Sequence, residues 1–155
     1  MANQFTRRGV LGGLVGAAGL ATAGPALAQK PAPGQPDPAA ALKAMEQEAF
    51  KNLKGLYTAQ KSYFAERDRY STDLDQVGFL PEEWCEDGAR LKIKEKSTSV
   101  KKVGCHFIYE VETLGTDASM QFRAYARGAV APALGLTYLV ESSGEFNGIP
   151  RRNPK

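Results

Sequence analysis

KNLKGLYTAQKSYFAERDRY, running from Lys51 to Tyr70, is the stretch that decides the fold, together with the residues leading into it from Ala39. Apolar residues recur at Leu42, Met45, Ala49, Leu53, Leu56 and Tyr63, and Phe50, Tyr57 and Phe64 stand seven apart beside them. That spacing predicts one amphipathic helix from Ala39 to Asp68 with a single wide apolar stripe. Pro36-Asp37-Pro38 supplies its start. Asp37 is suited to accept from the unpaired amides of the first turn, where the missing N–H of Pro38 removes nothing. At 1.5 Å per residue such a helix is about 45 Å long, too long for a small domain to cover on every side. One face must therefore carry the remaining core.

After the helix, Ser71 to Phe79 reads as a loop with a short helical turn, capped by Ser71 and ended by Gly78 in a left-handed conformation. Leu74, Val77 and Phe79 pin that loop to the helix. The acidic, turn-rich connection Pro81 to Gly88 reads as solvated surface, because its spacing matches no calcium loop. From Arg90 the period changes to two. Leu91 and Ile93 alternate with Lys92, Lys94 and Lys96 as a first strand, followed by a polar turn through Lys101-Lys102. Cys105 to Thr113 is a second strand with Cys105, Phe107, Tyr109 and Val111 on one face. A third strand covers Met120 to Arg127 with Phe122, Ala124 and Ala126 inward, and Leu136 to Glu141 is a fourth. Short connections favour an antiparallel meander, and the helix stripe is its only large apolar partner. The expected class is α+β: a long first helix packed against a sheet of about four antiparallel strands spanning 39–150, with a mobile basic tail at 151–155.

Residues 1–28 read as an export signal ending in the small-residue sequence Pro25-Ala26-Leu27-Ala28. Thr6-Arg7-Arg8-Gly9-Val10-Leu11 resembles a twin-arginine signal, with an ordinary secretory signal as the other reading. The Gly/Ala-rich run from Gly9 to Ala23 suits a membrane span poorly. Residues 29–38, with four prolines, read as a linker. The chain has 20 Lys and Arg against 17 Asp and Glu. Removing the signal takes two arginines and no acid, and 18 − 17 leaves +1. Whole-chain charge therefore gives no argument for nucleic acid or anionic lipid. The expected location is periplasmic or secreted, with no stable membrane span once the signal is cleaved. There Cys85 and Cys105 read as a disulfide closing about 21 residues, or as two buried thiols.

The segments Asn52 to Glu66, Arg69 to Leu74 and Gly78-Phe79 resemble the second half of the long helix of type IV pilins and pseudopilins and the loop leaving it. The resemblance extends loosely to about Asn147. It implies a pilin-like fold and protein partners: a pilin, a type II secretion component, or a second copy. A pilin's short basic leader and strongly apolar first half-helix are not found in this sequence, where an export signal and linker stand instead. A soluble pilin-like domain outside the cytoplasm is expected.

No sequence pattern indicates reaction chemistry. His106 is next to Cys105, and strand neighbours point to opposite faces, so the two are poorly placed to share a metal or act as a nucleophile and base. No catalytic residue, metal ligand or cofactor site is expected. Two interaction readings remain. Leu42, Met45 and Phe50 could form an exposed patch where the helix outruns its cover. Lys92, Lys94, Lys96, Lys101 and Lys102 could bind DNA or another polyanion, or could simply be a charged strand edge that discourages pairing.

Overall fold

The computed structural model describes residues 37–81, 85, 89–116, 119–142 and 147–153. The expected export signal, most of the linker, most of the acidic connection and the last two residues lie outside them.

Helix α1 runs Pro38–Arg67, within one residue of expectation at either end. The side chain of Asp37 accepts from the Ala39 amide at 2.9 Å. Asp68 ends the helix in the left-handed region at φ 54°, its amide returning to the Phe64 carbonyl. Five strands follow: β1 (Lys101–Val103), β2 (Phe107–Leu114), β3 (Gln121–Gly128), β4 (Thr137–Glu141) and β5 (Arg151–Arg152). They lie in chain order, each antiparallel to the next.

The meander stands, but three local expectations do not. Leu91 to Lys96 is no strand: Ala89–Lys92 is a 3₁₀ turn and the chain then runs irregularly. Lys101-Lys102, expected to turn, instead begins β1. Arg151-Arg152, expected to be mobile, pairs with Leu139 and Tyr138 as β5, so the sheet has five strands and passes residue 150. Alternation measures which face is wet. It does not say whether backbone groups find a ladder partner.

The stripe packs as predicted except at Tyr63, which is half-buried outside the core cluster and donates its hydroxyl to Gln76 Oε1 at 3.1 Å. Met45, Ala49, Leu53 and Leu56 are buried against Phe107, Tyr109, Val111, Phe122, Ala124, Ala126, Tyr138 and Val140 of β2, β3 and β4. Each aromatic of the seven-residue series meets another ring: Phe50 with Tyr138 at 5.4 Å, Tyr57 with Phe122 at 5.7 Å, Phe64 with Tyr70 at 4.6 Å. Offset and edge contacts of this kind add to the area they bury.

Two polar residues also lie within the stripe. Asn52 donates to the Tyr109 hydroxyl at 2.9 Å. Gln60, fully buried, donates through Nε2 to the Ser71 carbonyl at 2.6 Å and accepts through Oε1 from the Ser71 amide at 3.2 Å. Its amide thus acts as a short length of backbone and holds the loop that leaves the helix. Ser71 Oγ accepts from the Asp73 amide, Asp73 caps the next turn, and Gly78 closes it at φ +73°. Leu74 and Phe79 are thereby delivered to the core.

Cys85 and Cys105 are disulfide-bonded, with Cα atoms 5.5 Å apart. Of the two readings left by the sequence, the bond is the one that holds.

Candidate functional site

The expected patch at the start of α1 is mostly inside. Met45 is 8% exposed, and Leu42 and Phe50 are half-buried against the core. The helix is not left uncovered there because Phe50 packs on Tyr138 of β4 and the turn between β1 and β2 meets the helix at Glu48. The amide of His106 donates to Glu48 Oε1 at 3.2 Å, and its Nδ1 contacts Glu48 Oε2. Above this pair remains an apolar hollow of about 220 Å³, lined by Ala41, Ala44, Met45, Glu48 and His106. His106 therefore fastens α1 to the sheet, and its neighbour Cys105 is held by the disulfide. Among the described residues no three of His, Cys, Asp and Glu converge to hold a metal.

The five lysines divide into two groups. Lys102 is buried and pairs with Asp75, tying β1 to the loop after α1. Lys101 bridges Glu95 at 2.7 Å and Glu110 at 3.3 Å. These acids hold its ammonium above the ordinary lysine range, Glu95 contributing most. Both lysines are thus committed within the fold. Lys92, Lys94 and Lys96 are exposed and make no ion pair with any described residue. A single five-lysine edge does not exist, because the residues expected to form its strand lie off the sheet.

Lys92 and Lys94 instead border a groove of about 380 Å³. One wall is the segment from Lys92 to Glu95, and the other is the chain from Arg127 through Ala129 with Leu134. Gly128 makes the second wall possible: a Cβ there would lie 1.9 Å from the Ala133 carbonyl oxygen, so only glycine lets the β3–β4 connection fold back so tightly. Ile93, half-buried, and Ile108, buried, line the groove, and Leu134 stands 66% exposed at its rim. Arg127 donates to Glu110 at 2.7 Å, and the one carboxylate among the described lining residues, Glu95, is held by Lys101. The groove is therefore cationic at the edge and apolar within. Leu134, Arg127 and Ile108 were not legible as site residues. The one sequence signal was a leucine between Pro132 and Gly135, where a loop has no need of a large apolar side chain.

Farther along the outer face of the sheet, Glu141 accepts from Arg123 at 2.8 Å and from Arg151 at 2.9 Å. Arg151 first and Arg123 second hold its carboxyl below the ordinary carboxylate range, against an opposing effect of burial. These pairs bind β3, β4 and β5 together. The groove, the exposed lysines and the apolar hollow are surfaces that the described residues leave open to a ligand.

No protein-family model matches the chain. A segment of 40 residues is 55% identical to the type IV major pilin protein PilA of Myxococcus xanthus, covering 26% of this chain and 18% of that protein. The matched segment is thus under a fifth of the length of its curated relative.

Proposed function

We propose that this chain is a non-catalytic, exported, pilin-like protein that works outside the cytoplasm by binding other proteins, with components of a type IV pilus or a type II secretion apparatus as its partners. The observation that carries the reading is the local similarity to a type IV major pilin in a chain whose described residues run from a long helix into an antiparallel meander. The disulfide suits an oxidising compartment. Among the described residues no helix is long and apolar enough to cross a membrane.

Two measurements test this reading. Purified chain, free of reductant, is sized in solution with and without purified pilin and secretion components, and the same components are assayed for retention on the immobilised chain. Concentration-dependent self-association or saturable capture of a component is the expected result. A strict monomer that captures neither overturns it.

A second reading rests on Lys92, Lys94 and Lys96, which are exposed and free of ion pairs with described residues. They suit a polyanion such as DNA. Under this reading affinity falls steeply with salt as phosphate contacts release counterions, and Lys92→Gln, Lys94→Gln and Lys96→Gln together abolish binding. Lys101 and Lys102 contribute little to it, being engaged by Glu95, Glu110 and Asp75.

A further inference from the structure

The groove between Lys92–Glu95 and the β3–β4 connection has three properties in one place. Among the described residues its cations are unopposed: Lys92 and Lys94 pair with none of them, and the only carboxylate in the described lining is already taken by Lys101. Its apolar surface is open at Leu134, which is exposed, and at the half-buried Ile93, with the buried Ile108 beneath them. From Lys94 to Lys96, no backbone group hydrogen-bonds another described residue. This is the stretch whose sequence alternates like a strand but finds no strand beside it.

We propose that this groove is a docking site for an extended acidic peptide segment of a partner protein, one in which Glu or Asp alternates with aliphatic residues. The acids meet Lys92 and Lys94, the aliphatic side chains cover Ile93 and Leu134, and the peptide main chain pairs with the backbone groups of Lys94 to Lys96 that bond no described residue. Strand addition to an unpaired segment gives affinity through the main chain, and alternate side chains give specificity. A polynucleotide would use the lysines alone. Among the described residues no aromatic side chain lines the groove to stack a base, and the apolar surface would stay wet. The proposal names the partner chemistry of the interaction reading above and rests on it.

The test is fluorescence anisotropy with the full chain and a labelled peptide of alternating Glu and Leu. Matched probes are a Glu/Ser peptide, a Lys/Leu peptide and a single-stranded oligonucleotide of equal charge. The Glu/Leu peptide is expected to bind, and the Glu/Ser peptide to bind about tenfold or more weakly. The Lys/Leu peptide is expected not to bind. Lys92→Gln with Lys94→Gln should weaken binding by about tenfold, with further loss as salt rises. Leu134→Ser should weaken it by about five- to thirtyfold, and because Leu134 is exposed the fold should survive, which circular dichroism checks. Lys43→Gln with Lys54→Gln, on the solvent face of α1, should change nothing.

The proposal is overturned if the Glu/Leu peptide does not bind, or if it binds equally well to the Leu134→Ser or lysine variants. An oligonucleotide that binds as tightly as the peptide, indifferent to Leu134→Ser, also overturns it. If the triple variant Lys92→Gln, Lys94→Gln, Leu134→Ser still retains a pilus or secretion component retained by the unaltered chain, the groove is wrong and the interaction reading stands.

Discussion

Gln60 offers the sharpest test of how this fold is held. Its amide makes two hydrogen bonds to the backbone of Ser71, one in each direction, and no part of Gln60 reaches solvent. Gln60→Ala removes both bonds, leaves the Ser71 carbonyl and amide without these partners, and opens a cavity beside Leu56. An unsatisfied buried polar group costs about 1–3 kcal/mol, and Ser71 is only part-buried, so water recovers some of that. Adding the lost packing, the expected destabilisation is about 2–4 kcal/mol. For a domain of this size that lowers Tm by roughly 8–16 °C.

Gln60→Glu separates the hydrogen bonds from the packing. A protonated carboxyl donates to the Ser71 carbonyl and accepts from its amide, as the native amide does. An ionised one loses the donor, sets a negative oxygen against that carbonyl and is buried. All three effects raise its folded-state pKa above the ordinary glutamate value of about 4.3. With the folded pKa raised, stability is full below the unfolded pKa and falls as pH rises toward the folded one, by about 1.4 kcal/mol per pH unit between the two. Urea denaturation of wild type and both variants from pH 4 to pH 7, with the disulfide intact, gives the comparison. The Gln60→Glu variant should lie close to wild type at pH 4 and diverge from it with rising pH, while Gln60→Ala should keep a constant offset. An alanine variant within about 0.5 kcal/mol of wild type, or a glutamate variant parallel to wild type at every pH, refutes the reasoning.

Three further outcomes are expected. Replacing both Cys85 and Cys105 by alanine should lower stability by about 3 kcal/mol, read as a fall in the urea midpoint with little change for reductant to add. Glu141→Gln should weaken the hold of β5 at neutral pH and matter less as pH falls below the ordinary carboxylate range. The lowered pKa of Glu141 means that its contribution is present above the unfolded value and lost on acidification. Hydrogen exchange at the Asn153 amide, which donates to Thr137, reports this directly. Glu48→Ala removes both contacts to His106 and should cost about 1–3 kcal/mol, with faster exchange confined to the first turns of α1; uniform acceleration along the helix would count against a local fastening.

By itself the sequence determined the elements whose identity depends on local chemistry. Asp37 and Pro38 begin the helix, its apolar stripe is written at helical spacing, and the inward residues Phe107, Tyr109 and Val111 of β2 and Phe122, Ala124 and Ala126 of β3 stand at every second position. Such features need only the residue and its near neighbours. The tertiary structure decided wherever a backbone or a charge had to find a partner distant in the chain. Lys92, Lys94 and Lys96 alternate like a strand but meet no ladder, whereas Lys101 and Arg151, placed in polar sequence, each find one. Leu42, Met45 and Phe50 look like a surplus of apolar surface until Glu48 draws His106 over the start of the helix. Gln60 reads as an ordinary polar residue until Ser71 folds back against it. Hydrophobic periodicity fixes which side of an element turns inward. Which backbone groups lie opposite one another depends on how the whole chain closes, so the groove between the Lys92 segment and Leu134 could be seen only once both walls were in place.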